Sequence, residues 1–199
     1  MEPQINPIVT LIPLIVIALL PAIVGLLIAK KKVGVVKDCS FPKVWPGYVL
    51  AVLFLIFNIG EAILNPRSNQ DGYSSWNLLI GLSGFIYWLV CVYNLHKAVL
   101  FITDSRYPIS PGQAAGHHLF LFYNVYWIFK WPGEIVNMIN KRTNSSRLKP
   151  WLPGLILLLS AILSRTLGGF VWLLGYFWTI GYLIRVIKTN LVTNPESTA

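Results

Sequence analysis

Apolar residues in this chain run in long blocks rather than in alternation with polar ones. From Ile8 to Ala29 no charged residue interrupts the run, and Lys30, Lys31 and Lys32 follow it at once. Similar blocks extend from Pro46 to Asn65, from Trp76 to Phe101 and from Trp151 to Ile187. A bilayer's hydrocarbon core is crossed by about 20 mostly apolar residues in a helix, so the first three blocks predict transmembrane helices over 8–29, 46–65 and 76–101. The last block is too long for one helix and breaks at Ser164-Arg165-Thr166-Leu167-Gly168-Gly169. That break predicts a short helix over 151–164 and a further one over 167–187. Positive charge follows the first block instead of preceding it, the reverse of a secretory signal, so 8–29 reads as a retained helix with its N-terminus outside. Pro13 and Pro21 should kink it, while Trp45-Pro46-Gly47 opens the second helix and Asn65-Pro66 closes it.

The segment from Ser110 to Arg142 departs from this pattern. Ser110-Pro111-Gly112-Gln113 sets a capping serine before a proline at the first helical position, with a glutamine three residues after the cap; this is a capping box. A helix is expected from Pro111 to Phe129, broken at Pro132, with Glu134 to Arg142 as a separate amphipathic stretch. Its length would let 111–129 span, so charge decides. If 111–142 enters and returns on one side, the cytoplasmic cations are Lys30, Lys31, Lys32, Lys37, Lys43, Lys97, Arg106, Lys130, Lys141, Arg142, Arg147, Lys149, Arg185 and Lys188. Those are 14 of 16 Lys and Arg, with Arg67 and Arg165 left outside; a spanning helix would divide them 8 and 8. The positive-inside rule therefore favours a re-entrant or interfacial element over a sixth span. The expected fold is an all-α integral membrane protein: one membrane domain over 1–199, with about five transmembrane helices, the element at 111–142 and a cytoplasmic C-terminus.

Composition agrees. Of 199 residues, 55% are apolar and 12% charged, about half the charge of a soluble domain. A net charge of +9 would point to nucleic acid in a soluble protein. Here its placement makes it a topology signal, with anionic lipid as the partner of Lys30–Lys32 and of Lys141, Arg142, Arg147 and Lys149. Trp45, Trp76, Trp131 and Trp151 fall at expected helix ends, as interfacial anchors do. Gly81 with Gly84, and Gly168 with Gly175 and Gly181, offer small faces for helix packing.

Ionisable and polar groups inside a membrane are candidates for function. Asn58 and Asn65 flank Glu61 at spacings of three and four, so the three share a helix face. Counted from Pro46 and Trp151, Glu61 and Arg165 lie 15 and 14 residues along, about 21 to 23 Å. At similar depth they either pair or snorkel separately to the outer interface. Asn124 and Tyr126, in an aromatic stretch of the 111–129 helix, complete the polar set. His96, His117 and His118 lie near the cytoplasmic ends of apolar segments. Haem or metal ligation is one reading of them, and interfacial histidines satisfied by water and headgroups the favoured one. Cys39 and Cys91 are expected as free thiols in a reducing compartment. Asn144-Ser145-Ser146 matches a glycosylation acceptor but falls on the inside. No catalytic dyad, triad, phosphate loop or metal motif is legible, so neither an enzyme nor a cofactor is expected.

Tyr107-Pro108-Ile109-Ser110-Pro111-Gly112-Gln113-Ala114, followed by Phe122-Tyr123-Asn124-Val125-Tyr126-Trp127-Ile128-Phe129-Lys130-Trp131-Pro132, resembles a segment of uncharacterised multi-pass bacterial membrane proteins. The resemblance covers some 25 to 35 residues and implies an inner-membrane protein without an assigned activity. The expected role is an accessory, assembly or regulatory component that packs against a membrane-protein partner or a second copy. The alternative is a small transporter or channel whose path involves Asn58, Glu61, Asn124, Tyr126 and Arg165.

Overall fold

The computed structural model describes residues 21, 23–30, 40–64, 75–104, 106–120, 123–144 and 146–192. The described residues are all helical or connecting. Helical residues 23–30 form α1, followed by α2 (Trp45–Leu64), α3 (Ser75–Ile102), α4 (Pro111–Gly116) with a 3₁₀ turn at His117–Leu119, α5 (Tyr123–Arg142), α6 (Leu152–Leu167) and α7 (Phe170–Ile187). Among the described residues, three stretches are long and apolar enough to cross a membrane: Trp45–Ile63, Trp76–Ile102 and Phe170–Leu191. Leu152–Leu167 is apolar but shorter. Most of the span expected at 8–29 lies outside the described residues, as do Cys39, Asn65 and Arg67.

Helix α7 is central, packing against α2, α3, α5 and α6. Leu173, Phe177, Ile180, Leu183 and Ile187 recur along it at spacings of three and four and are fully buried, which places one helical stripe in the core. On α3 the two halves differ. Leu78, Leu82, Ile86 and Val90 recur every fourth residue and are exposed, whereas Cys91, Val92, Leu95, His96 and Val99 are buried. An exposed row of large aliphatic groups suits hydrocarbon rather than water. The buried half is covered by α4 and α5.

These two helices form a hairpin. After α3 the chain turns back at Pro111, so that α4 runs beside α3 until His118 meets Trp88, with ring centroids 4.5 Å apart. Helix α5 then returns to the starting end, where the Arg142 guanidinium donates to the Ile102 carbonyl at 3.1 Å. Matching chemistry ends α3 and α5: Thr103 and Thr143 bond back to the carbonyls of Val99 and Ile139, and Asp104 and Asn144 take positive φ. Short polar residues tolerate that left-handed conformation at a helix end.

The helix start at Ser110 is as expected, with both arms of the capping box formed. Its continuation is corrected. The helix stops at Gly116, and Phe120 is extended; Pro132, expected as the break, lies inside α5. Two bonds across the turn explain this. Trp127 Nε1 donates to the Ala114 carbonyl at 3.0 Å, and His118 Nδ1 meets Asn124 Oδ1 at 2.7 Å. The ring of Pro132 forfeits one intrahelical bond, but α5 continues through it, with Trp131, Gly133, Ile135 and Val136 buried on either side. The last loop is also displaced. Helix α6 extends to Leu167, and Gly168, at φ 101°, makes the turn. Gly168 is thus not part of a packing stripe with Gly175 and Gly181: Gly175 faces Ser160 on α6, and Gly181 lies toward Tyr48.

Small residues do act as contacts elsewhere. Gly81 abuts Phe54 of α2, and Gly84 abuts Leu173 of α7. Gly25 and Ala29 of α1 meet Gly112 and Gly116 of α4 so closely that backbone faces backbone. Two four-residue small-residue repeats thus cross one another, the geometry that lets membrane helices meet closely.

Candidate functional site

At one end of the bundle α2 meets the first turn of α3. Asn58 donates to the Phe54 carbonyl at 2.7 Å. Across the interface buried Asn77 donates to Glu61 Oε2 at 2.6 Å and to Asn58 Oδ1 at 3.4 Å. Three polar side chains thus clasp α2 and α3 at this end, and the buried Asn77 amide gains the partners that a polar group away from water needs. The proposed Glu61–Arg165 pair is not made. Glu61 is taken by Asn77, whereas Arg165, in the last turn of α6, is exposed and forms neither an ion pair nor a hydrogen bond with the described residues. Lys130 and Glu134, one turn apart on α5, do pair, at 2.7 Å, and Glu134 raises the lysine above its usual range.

Asn77 and Arg165 both line a cleft of about 530 Å³ between α2, α3, α6 and α7. Phe54 closes its base between Gly81 and Gly169, each too close to the ring to carry a larger side chain without a shift. Phe85, Trp172 and Tyr176 form the apolar end, and Ser164 joins the polar one.

The other two candidates sit apart from this cleft. Tyr126 is exposed on α5. Asn124 orients His118, and with it a second and more buried constellation. His118 packs on Trp88 at 4.5 Å and Trp131 at 6.1 Å between centroids, and Trp88 on Tyr176 at 4.5 Å. His96 lies 5.3 Å from Trp131 and 5.5 Å from Tyr107. His96 Nδ1 faces the Val92 carbonyl at 2.9 Å and must donate, so its Nε2 presents a lone pair to the Tyr107 hydroxyl at 3.5 Å. That hydroxyl also reaches the Trp131 carbonyl at 3.3 Å. Burial holds Tyr107 well above its ordinary pKa, so it keeps its proton. Burial likewise lowers His118 to about 3, leaving a neutral ring whose Nδ1–H serves Asn124. Trp88 Nε1, Trp131 Nε1 and His118 Nε2 are buried and have no hydrogen-bond partner among the described residues.

This corrects two expectations. His96 and His118 are core residues, exposed by 0% and 4%, not interfacial ones, because the returning hairpin roofs them over. Trp131, expected as an interfacial anchor, is fully buried, while Trp45, Trp76 and Trp151 are more than half exposed. His117 and His118 diverge as adjacent residues should: His117 packs on Trp127 and Tyr123 instead. Cys91 is a buried free thiol. No cluster of three His, Cys, Asp or Glu suited to a metal occurs among the described residues.

Sequence reasoning missed Asn77, although a lone amide in the first turn of an apolar helix is a legible sign of a polar partner on a neighbour. The Gly112–Gly116 spacing was equally legible. The burial of Trp88, His96 and Trp131 was not, because it depends on which helix folds over them. Compared with family models, with curated proteins and with solved structures, the chain matches none.

Proposed function

We propose that this protein is a multi-pass bacterial inner-membrane protein without a catalytic site, acting as an accessory, assembly or regulatory component through helix packing with a membrane partner. In this reading five helices span the bilayer, with the helix expected over 8–29 and α6 completing the set and the N-terminus outside. The α4–α5 hairpin is re-entrant or interfacial on the cytoplasmic side. Four charged residues on α5, Lys130, Glu134, Lys141 and Arg142, and the return of its end to the end of α3 support that placement.

The observation that carries the reading is the aromatic and histidine cluster. Trp88, His96 and Trp131 at 0% exposure plug the interior, while the surface of α3 keeps two apolar grooves, one toward α1 and one toward α2. Photo-crosslinkers placed at Ile86 and Val90 should capture one discrete membrane protein, and gentle isolation should yield a complex or a defined homo-oligomer. A monomer crosslinked only to lipid would exclude the reading.

The cleft favours a second reading, a small transporter, with Asn58, Glu61 and Arg165 at the mouth of the path and Asn124 and Tyr126 toward its other end. Solute flux in proteoliposomes that Glu61→Gln abolishes would establish it in place of the first.

A further inference from the structure

We propose that the cleft between α2, α3, α6 and α7 binds a phosphate-bearing amphiphile, with its headgroup on Arg165 and its chain against Phe85, Trp172 and Tyr176. Its volume, about 530 Å³, lies in the range of about 300 to 1,000 Å³ typical of ligand sites. The lining is sorted by polarity. Asn77 belongs to the first turn of α3, and Ser164 and Arg165 to the last turn of α6, so the polar groups meet at one end of the cleft. From Asn77 to Phe85 the α3 wall runs about 12 Å, through Leu78, Gly81 and Leu82, to the aromatic end formed with Trp172 and Tyr176. A polar mouth over an apolar floor is the shape of an amphiphile.

The charge at the mouth selects the headgroup. Ser164 spends its proton on the Ala161 carbonyl at 2.7 Å, and the Asn77 amide serves Glu61 at 2.6 Å. Arg165 is then the donor left over: a permanently charged fork that matches phosphate and has no partner among the described residues. Glu61, held just behind Asn77, disfavours a second negative group, so a single phosphate diester fits better than a doubly charged head. Leu78 and Leu82 line the cleft and are also exposed, by 70% and 53%, which opens it sideways to the lipid phase from which such a ligand comes.

The test uses the full chain in detergent with sub-stoichiometric phosphatidylglycerol brominated along its chains, bound ligand being read by native mass spectrometry and by quenching of tryptophan fluorescence. Arg165→Gln should weaken binding about tenfold, the scale of one lost charge-assisted contact, and Trp172→Phe should remove much of the quenching. Arg106→Gln, at an exposed cation in the loop after α3 that does not line the cleft, should leave binding unchanged. Inorganic phosphate at millimolar concentration should not displace the lipid; displacement would show a site for the free anion and overturn the amphiphile. Equal loss in Arg165→Gln and Arg106→Gln, or binding of an uncharged diacylglycerol as tight as that of the phospholipid, would overturn the role of Arg165. Leu82→Trp, which narrows the cleft from its exposed side, provides a second variant that leaves the charge in place and should also reduce binding.

Discussion

His118 shows how far one side chain's behaviour depends on what folds over it. Its ring is sealed between Trp88 and Trp131, and burial, only partly offset by the bond to Asn124, lowers it to about 3. In an unfolded chain histidine titrates near about 6.5, so the unfolded state takes up a proton first on acidification. The native state's advantage is complete above pH 6.5 and declines as pH falls toward 3, with about 2 kcal/mol gone by pH 5. Thermal unfolding in detergent at pH 7.5 and pH 5 should show that loss in the parent protein, and a smaller one in His118→Gln, which cannot charge. Identical pH dependence in the two would refute the buried neutral ring. The three histidines were legible as residues near helix ends, but their protonation was not, since nothing local announces the hairpin that covers two of them.

At the scale of elements, glycines separate contacts from bystanders. A Cβ at Gly116 would run into the Gly25 carbonyl and one at Gly112 into that of Ile28, while Gly60 has open space around it. Gly116→Ala should therefore cost about 1 to 3 kcal/mol through overpacking against backbone that cannot rotate away. Gly60→Ala should be neutral or stabilising by up to about 1 kcal/mol, through helix propensity alone. Comparing melting temperatures of the two variants checks both; equal effects would mean that α1 and α4 do not touch. The predicted helices at 46–65 and 76–101 agree with α2 and α3 to within a residue, because an uninterrupted apolar run has one way to satisfy its backbone. The misplaced break at Pro132 has the opposite cause: a proline's local preference lost to the packing of Trp131 and Ile135 on the core.

Across the whole molecule, the placement of charge predicts a topology that labelling can test. With Cys39 and Cys91 replaced by serine, a cysteine at Asn144 should react with an impermeant thiol reagent only after cells are opened, whereas one at Ser68 should react in intact cells. Labelling of position 144 from outside would mean that the 111–142 segment spans. The apolar blocks by themselves determined that the chain is helical and suited to a bilayer, because backbone groups in hydrocarbon can be satisfied only within a helix or a closed barrel. Tertiary structure alone decided the rest. It gave Glu61 to Asn77 and left Arg165 facing a cleft, and it folded α4 and α5 over His96, His118 and Trp131. Those outcomes rest on contacts between residues distant in sequence, and helix periodicity carries no record of which neighbour a polar face will meet.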